Sequence, residues 1–191
     1  MIINIKDWKE FSILKLFTIK SPASRSIKTY SEGKTPYVSS SSTNNGIISY
    51  LEPKNNENLE KGNCITVSPL DGASFYQDND FLGRGGAGSA ISMLYNDNLN
   101  KYNALFICTV IRLSAQKYNY NDALTSDNLK NLVINLPALY NERKRAFIID
   151  KNKAYSNKGY IPAWNYMESY MKNIVKKSEK DIKTLKNILM L

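Results

Sequence analysis

Histidine is absent from the 191-residue chain, and that absence removes much of enzyme chemistry. There can be no Ser-His-Asp or Cys-His nucleophilic site, no His-ligated zinc and no imidazole acid–base work. Cysteine is scarce: Cys64 and Cys108 lie far apart, form no metal-ligand spacing and read as core thiols in a reducing compartment. Nothing requires them to pair. Long apolar runs are missing. The longest, 104–111, contains Thr109 and falls well short of the roughly 20 residues that span a bilayer. Met1 to Trp8 show no basic segment followed by an apolar one, so no secretory signal is expected. There is no P-loop and no Asn/Asp-Pro-Pro-aromatic signature of an amino-methyltransferase. A soluble, cytoplasmic protein is expected.

What the chain does have is positive charge. Lys and Arg number 26 against 17 Asp and Glu, a net of +9 with a pI near 9.4. Such an excess favours a polyanionic partner, nucleic acid first. The mass, 21.7 kDa, suits one domain plus an appendage. Texture changes at Pro162: residues 1–162 alternate short β-like runs with Gly, Asn, Asp and Pro, whereas 163–191 contain neither Gly nor Pro. The expected division is therefore a domain over 1–162 and a long helix over 163–191.

Within the first part, Asp7 to Phe17 reads as a short helix or turn presenting Trp8, Phe11, Leu14 and Phe17 on one face. Strands are expected from Thr35 to Val38, Gly46 to Tyr50 after an Asn44-Asn45-Gly46 turn, Gly62 to Val67, Ser74 to Gln77 and Ala90 to Leu94. The length of Lys101 to Leu113 favours a helix. A short helix from Leu124 should run into an edge strand that stops at Pro137. The fold class is α/β, mixed and strand-rich, ending in the long helix. That helix places Trp164, Met167, Met171 and Ile174, then Val175, Ile182, Leu185 and Leu189, at coiled-coil-like spacing. At up to 28 residues and about 42 Å, its first half packs on the domain and its second half wants a partner helix.

Gly83, Arg84, Gly85, Gly86, Ala87 and Gly88 formally satisfy G-x-G-x-x-G, but no helix is expected next and no acid follows at dinucleotide spacing. The run reads instead as a flexible turn, or as a loop whose bare backbone and single Arg84 approach a phosphate or base edge. Acid-x-Lys triplets at Asp7, Glu32, Glu52, Glu142 and Asp181 are ordinary in so lysine-rich a chain, and no acid pair marks a metal-dependent nuclease. Positive signals come from loops. Ser39, Ser40, Ser41, Ser42, Thr43, Asn44 and Asn45 bring short hydrogen-bonding groups suited to base edges or phosphates. Lys117, Tyr118 and Tyr120 interleave a cation with aromatics, and Arg143, Lys144 and Arg145 form a compact basic cluster suited to phosphates.

An ordered set of fragments then resembles one family. Trp8, Phe11, Leu16 and Phe17; Glu32, Gly33 and Pro36 to Ser39; Asn45, Gly46, Ile47 and Tyr50; and Phe75, Tyr76 and Gln77 come first. Leu99, Asn100, Ala104 to Phe106, Tyr118 and Tyr120, Ile134, Leu136 and Pro137 follow, with Trp164, Tyr166, Met167, Glu168 and Tyr170 last. Their order and span resemble a target recognition domain from the specificity subunits of type I restriction–modification systems, related also to type IIG recognition domains. The resemblance implies a non-enzymatic reader of one half of a split duplex DNA sequence. A following helix would dock modification (methyltransferase) subunits and, in some complexes, a restriction subunit. Catalysis and S-adenosylmethionine would belong to the partner, leaving no cofactor in this chain. With one recognition domain and one helix, the chain resembles a half-size specificity subunit that forms a homodimer through the helix.

On this reading the loop 39–45, Arg84 and Lys117 to Tyr120 reach the DNA bases, Lys20, Arg25, Lys34 and Arg143 to Arg145 neutralise phosphates, and Tyr76 is a further DNA-binding residue. Two other departures stand out. Ala163 replaces the family's usual Asp before the Trp, leaving the helix start open, and the stretch 138–161 is unusually long. The competing readings are a recognition-domain decoy that occupies methyltransferase subunits and a small metal-dependent nuclease.

Overall fold

The computed structural model describes residue 5 and residues 7–86, 90–116 and 124–189, with Leu189 by its backbone alone. The chain opens with β1 (Lys9–Ser12), which runs directly into the one-turn helix α1 (Ile13–Leu16) and then β2 (Thr18–Lys20). Next come β3 (Glu32–Val38), β4 (Ile47–Leu51), β5 (Cys64–Val67), β6 (Ser74–Gln77), β7 (Leu82–Gly83) and β8 (Ser92–Tyr95). The helix α2 (Lys101–Ala115) is followed by α3 (Ser126–Lys130), β9 (Val133–Leu136), the pair β10 (Tyr140–Asn141) and β11 (Ala146–Phe147), and α4 (Trp164–Leu189).

Among the described residues these strands form four small sheets. One has the order β2-β8-β5-β6, antiparallel throughout; a second has the order β4-β3-β7; β1 pairs with β9, and β10 with β11. The helix α2 packs on β5 and β6 of the first sheet, on β9 and on α4. Its N-terminus is held by a reciprocal cap, in which the Asn100 side chain accepts from the Tyr102 and Asn103 amides while Asn103 Oδ1 accepts from the Asn100 amide. Asn100 Nδ2 also donates to Glu168 on α4, so the same cap fixes the two helices to each other. Phe106 packs its ring 5.4 Å from Trp8 and 5.8 Å, edge-on, from Tyr170. Ile107 and Ile111 are fully buried beside it, and Met167 joins the same core from α4.

The opening segment differs from the helix read over Asp7 to Phe17. Pairing with β9, in the register Phe11↔Ile134, draws residues 9–12 into a strand. The apolar residues then serve two elements, and Ile13, not Leu14, faces the core: Leu14 is 58% exposed. α4 begins at Trp164, immediately after buried Ala163, whose carbonyl accepts from the Tyr166 and Met167 amides. The long stretch before it is an excursion that closes on itself. Ala138 bridges Pro162, the Ala163 amide donates to Pro137 O, and β10 and β11 form a hairpin within it. Cys64 and Cys108 are buried free thiols, and burial pushes the Cys64 pKa up to about 12. No described helix is long and apolar enough to cross a membrane.

Because Phe106 on α2 packs on Trp8, just before β1, and on Tyr170 of α4, Phe106→Ala should cost about 3–5 kcal/mol in urea unfolding. Leu14→Ala should stay within about 0.5 kcal/mol, since its side chain faces water.

Candidate nucleic-acid interface

β3 and β4 are joined by the loop 39–46, and its shape follows from three successive left-handed residues. Asn44, Asn45 and Gly46 have φ of 48°, 55° and 77°. Asn tolerates that region and Gly adopts it freely, whereas a Cβ at Gly46 would also crowd Val38. The turn closes through Gly46 N to Thr43 O and Ser39 N to Gly46 O. It is then pinned to β6. Asn45 Nδ2 donates to Tyr76 O and Gln77 Oε1, and Gln77 Nε2 donates back to Asn45 O and to Thr66 Oγ1. Ser39 is buried, which removes it from any base-reading set. The Asn45 amide nitrogen is spent inside the fold, Asn44 Nδ2 donates to Ile47 O, and Ser41 Oγ turns inward to Thr43. Ser42, Thr43 and Asn44 remain exposed at the tip.

Arg84 stands beside this loop. β7 pairs in parallel with β3, Tyr37 opposite Leu82 and Val38 opposite Gly83, and the Arg84 amide then donates to Val38 O at 2.8 Å. Its carbonyl accepts from Ile91 N. The next residue, Gly85, bridges Ser24 so closely that a Cβ would lie 2.2 Å from Pro22 O and 2.4 Å from Ala23 O. No other residue fits there. The Arg84 side chain is exposed. The structure therefore brings the Ser/Thr/Asn loop and Arg84 to one end of the β4-β3-β7 sheet.

Arg25 leaves the phosphate-contacting set. Its side chain is 3% exposed and every nitrogen of its guanidinium is engaged. Nε donates to Glu57 Oε1 at 2.7 Å, Nη1 to Glu60 Oε1 at 2.6 Å and to Gly83 O at 3.0 Å, and Nη2 to Asn58 O at 2.9 Å. Burial works against the cation, but the hydrogen bonds to Glu60 and Glu57 outweigh it and raise its pKa. Burial likewise opposes the Glu57 carboxylate, yet hydrogen bonds from the Tyr30 hydroxyl, Arg25 and the Lys54 amide hold its pKa down to about 2. The roles of Glu57, Glu60 and Gln77 were not visible in the sequence, because Arg25 lies 32 and 35 residues from the two carboxylates and Thr66 lies 11 residues from Gln77.

The remaining candidates are dispersed. The Tyr76 hydroxyl donates to Asn63 Oδ1 and Asp78 Oδ1, so a carboxylate stands where a phosphate would approach. Tyr76 also lines a groove with Pro36, Asn45, Ile47 and Lys101, and the exposed Lys101 is a cation the sequence reading passed over. Lys20 is exposed on the edge strand β2 with its ammonium 5.2 Å above the Tyr95 ring. Lys34 lies four residues before Val38 on β3, about 13 Å from the end of the sheet that carries Arg84. Arg143, Lys144 and Arg145 form the exposed turn between β10 and β11. The base of that hairpin is clamped by Tyr140, Phe147 and Tyr160, with Lys9 4.3 Å over Phe147. Lys117, Tyr118 and Tyr120 lie outside the described residues.

The α4 stripe divides. Met167 is buried, Trp164, Met171 and Val175 are half-buried, and Ile174, Ile182, Leu185 and Ile188 are exposed. Ile188, at 61% exposure, continues the outer stripe three residues beyond Leu185. Among the described residues no group of three His, Cys, Asp or Glu could hold a metal ion.

A family model for the type I restriction modification DNA specificity domain matches residues 5–158. The specificity subunit S.BcgI of a type II restriction enzyme from Heyndrickxia coagulans is 27% identical over 158 residues, covering 82% of this chain and 40% of that protein. The HsdS subunit from Thermoanaerobacter tengcongensis shares the fold with a TM-score of 0.54 at 14% identity, over 92% of this chain and 39% of its own. The S subunit of a type I system from M. genitalium does so at 0.52 and 13%, over 96% and 44%. The chain thus spans about two-fifths of the length of these relatives.

The Arg25 cluster has a pH signature. Because the folded Glu57 pKa is depressed, its contribution is complete above about 4.5 and lost as pH falls towards about 2. In thermal melts across that window, Glu57→Gln should flatten the wild-type decline in Tm while lowering Tm at neutral pH.

Proposed function

The chain belongs to the type I restriction modification DNA specificity family, and on that premise we propose that it is a non-enzymatic reader of duplex DNA. In this role it directs methyltransferase subunits to one half of a split target. The observation that carries the reading is the parallel pairing of β3 with β7, which sets a hydroxyl-rich turn and an arginine side by side on backbone already fixed. Hydroxyls, amides and guanidinium groups are what base edges in the major groove can recognise. Ser42, Thr43, Asn44 and Arg84 are the proposed base-facing set. Lys117, Tyr118 and Tyr120 are proposed as further groove contacts. Lys20, Lys34, Arg143, Lys144 and Arg145 are proposed to hold phosphates, consistent with a net charge of +9. S-adenosylmethionine and the methyl-transfer chemistry belong to the partner, and the work is done in the cytoplasm.

The outer half of α4 is the proposed assembly surface. Ile174, Ile182, Leu185 and Ile188 place an apolar stripe in water, and the same helix of a second copy would bury it around a two-fold axis. That pairing would hold two half-sites at a fixed separation, and methyltransferase subunits, with a restriction subunit in a complete complex, would dock alongside. A chain from a structure concerned with complex assembly and conformational transition of the type I R-M system shares this fold with a TM-score of 0.50 at 13% identity.

Selection from a random duplex pool should enrich a split inverted repeat, with and without the methyltransferase. No enrichment in either condition would leave a decoy that binds methyltransferase without reading DNA. Arg84→Ala should relax one position of the site by about 1–3 kcal/mol; a loss spread evenly over all sequences would make Arg84 a phosphate contact. In analytical ultracentrifugation the wild type should sediment as a dimer, and the double variant Ile182→Asp/Leu185→Asp as a monomer.

A further inference from the structure

We infer that Arg25 is a positioning residue for Arg84, setting the direction from which Arg84 reads its base pair; this rests on the reading role proposed for Arg84. Three segments meet at Arg25. It comes from the turn after β2, and its carboxylate partners Glu57 and Glu60 from the connection between β4 and β5. The third contact is Gly83 O, the carbonyl that forms the peptide bond to Arg84. Glu60 also takes the Ala23 amide on Oε1 and exchanges both backbone hydrogen bonds with Phe81, two residues before Gly83.

The backbone at Arg84 is thus gripped on every side. Gly83 O is held by Arg25 Nη1, Arg84 N by Val38 O, Arg84 O by Ile91 N, and Gly85 by the strand-like bridge to Ser24. Each of these contacts acts on main chain, and among the described residues no hydrogen bond takes up the exposed Arg84 side chain. A guanidinium at the end of a long side chain amplifies any rotation at its own Cα, while recognition needs placement to within about 0.5 Å. A planar fork with donors on three nitrogens can span two carboxylates and two carbonyls at once. An ammonium on a flexible stem cannot. Arg25→Lys therefore keeps the charge between Glu57 and Glu60 but releases Gly83 O and Asn58 O.

The test compares base preferences from a random duplex pool for wild type, Arg84→Ala, Arg25→Lys and the double variant, at a temperature where thermal melts show each to be folded. Arg84→Ala should lower the preference for the best base at one position about tenfold. Arg25→Lys should relax the same position, by at least threefold, and leave the other positions unchanged. The double variant should relax no further than Arg84→Ala. If Arg25→Lys does not fold, Glu60→Gln, which weakens the same grip from the far side, should give the same single-position relaxation. The inference is overturned if the substituted protein keeps the wild-type preference at that position, or loses affinity equally for all sequences as a merely structural residue would. It is overturned too if Arg84→Ala changes no position while wild type still selects a site, an outcome that leaves the specificity reading standing. Selection of no site by wild type overturns both.

Discussion

A guanidinium withdrawn from water must find acceptors for its donors, and Arg25 satisfies its own by drawing together three segments that are otherwise linked only through short β-bridges, Ser24 with Gly85 and Glu60 with Phe81, among the described residues. Glu57 and Glu60 supply the negative charge that makes the burial tolerable, and Gly83 and Asn58 supply the remaining acceptors. A half-built version of this cluster would strand a buried charge, so its parts are strongly favoured to form together. Its consequence is local order where the sequence looks loose. The glycines after Arg84 suggest a floppy loop, yet Gly85 lies tight against Pro22 and Ala23.

The same logic of fixing backbone first governs the neighbouring loop. Three left-handed residues in a row define the bend from Asn44 to Gly46, and Gln77 then spends its amide on Asn45 and Thr66. What is left exposed is a short row of hydroxyl and amide groups on an ordered turn. Pre-ordering of this kind reduces the conformational entropy lost when a ligand binds.

Much of the architecture was legible because local rules and tertiary context agreed. Lys101 to Ala115 is a helix, as length argued, and the strands at Thr35 to Val38 and Ser74 to Gln77 follow from their β-branched and aromatic content. In the opening segment the spacing of Trp8, Phe11 and Leu14 mimics a helical face. Pairing of β1 with β9, more than 120 residues away, overrides that periodicity. The candidate site was legible by residue type but not by role. Ser39 and Arg25 have the composition of DNA contacts, and only burial reveals that both face inward. Conversely, Glu57, Glu60 and Gln77 carry no local signal, since Arg25, Asn45 and Thr66, the side chains and backbone they join, are distant in sequence.

The excursion between β9 and α4 has its two ends side by side, where Ala138 meets Pro162 and Pro137 meets Ala163. Mechanically, the helix is therefore registered on the domain by the root of the excursion, and the residues in between form a side branch on that joint. Lengthening or shortening the branch would alter how much positive charge it carries without shifting the axis of α4. The spread of positive charge on this protein and the angle of its helix can thus diverge independently, one by insertion and the other only by rebuilding the joint.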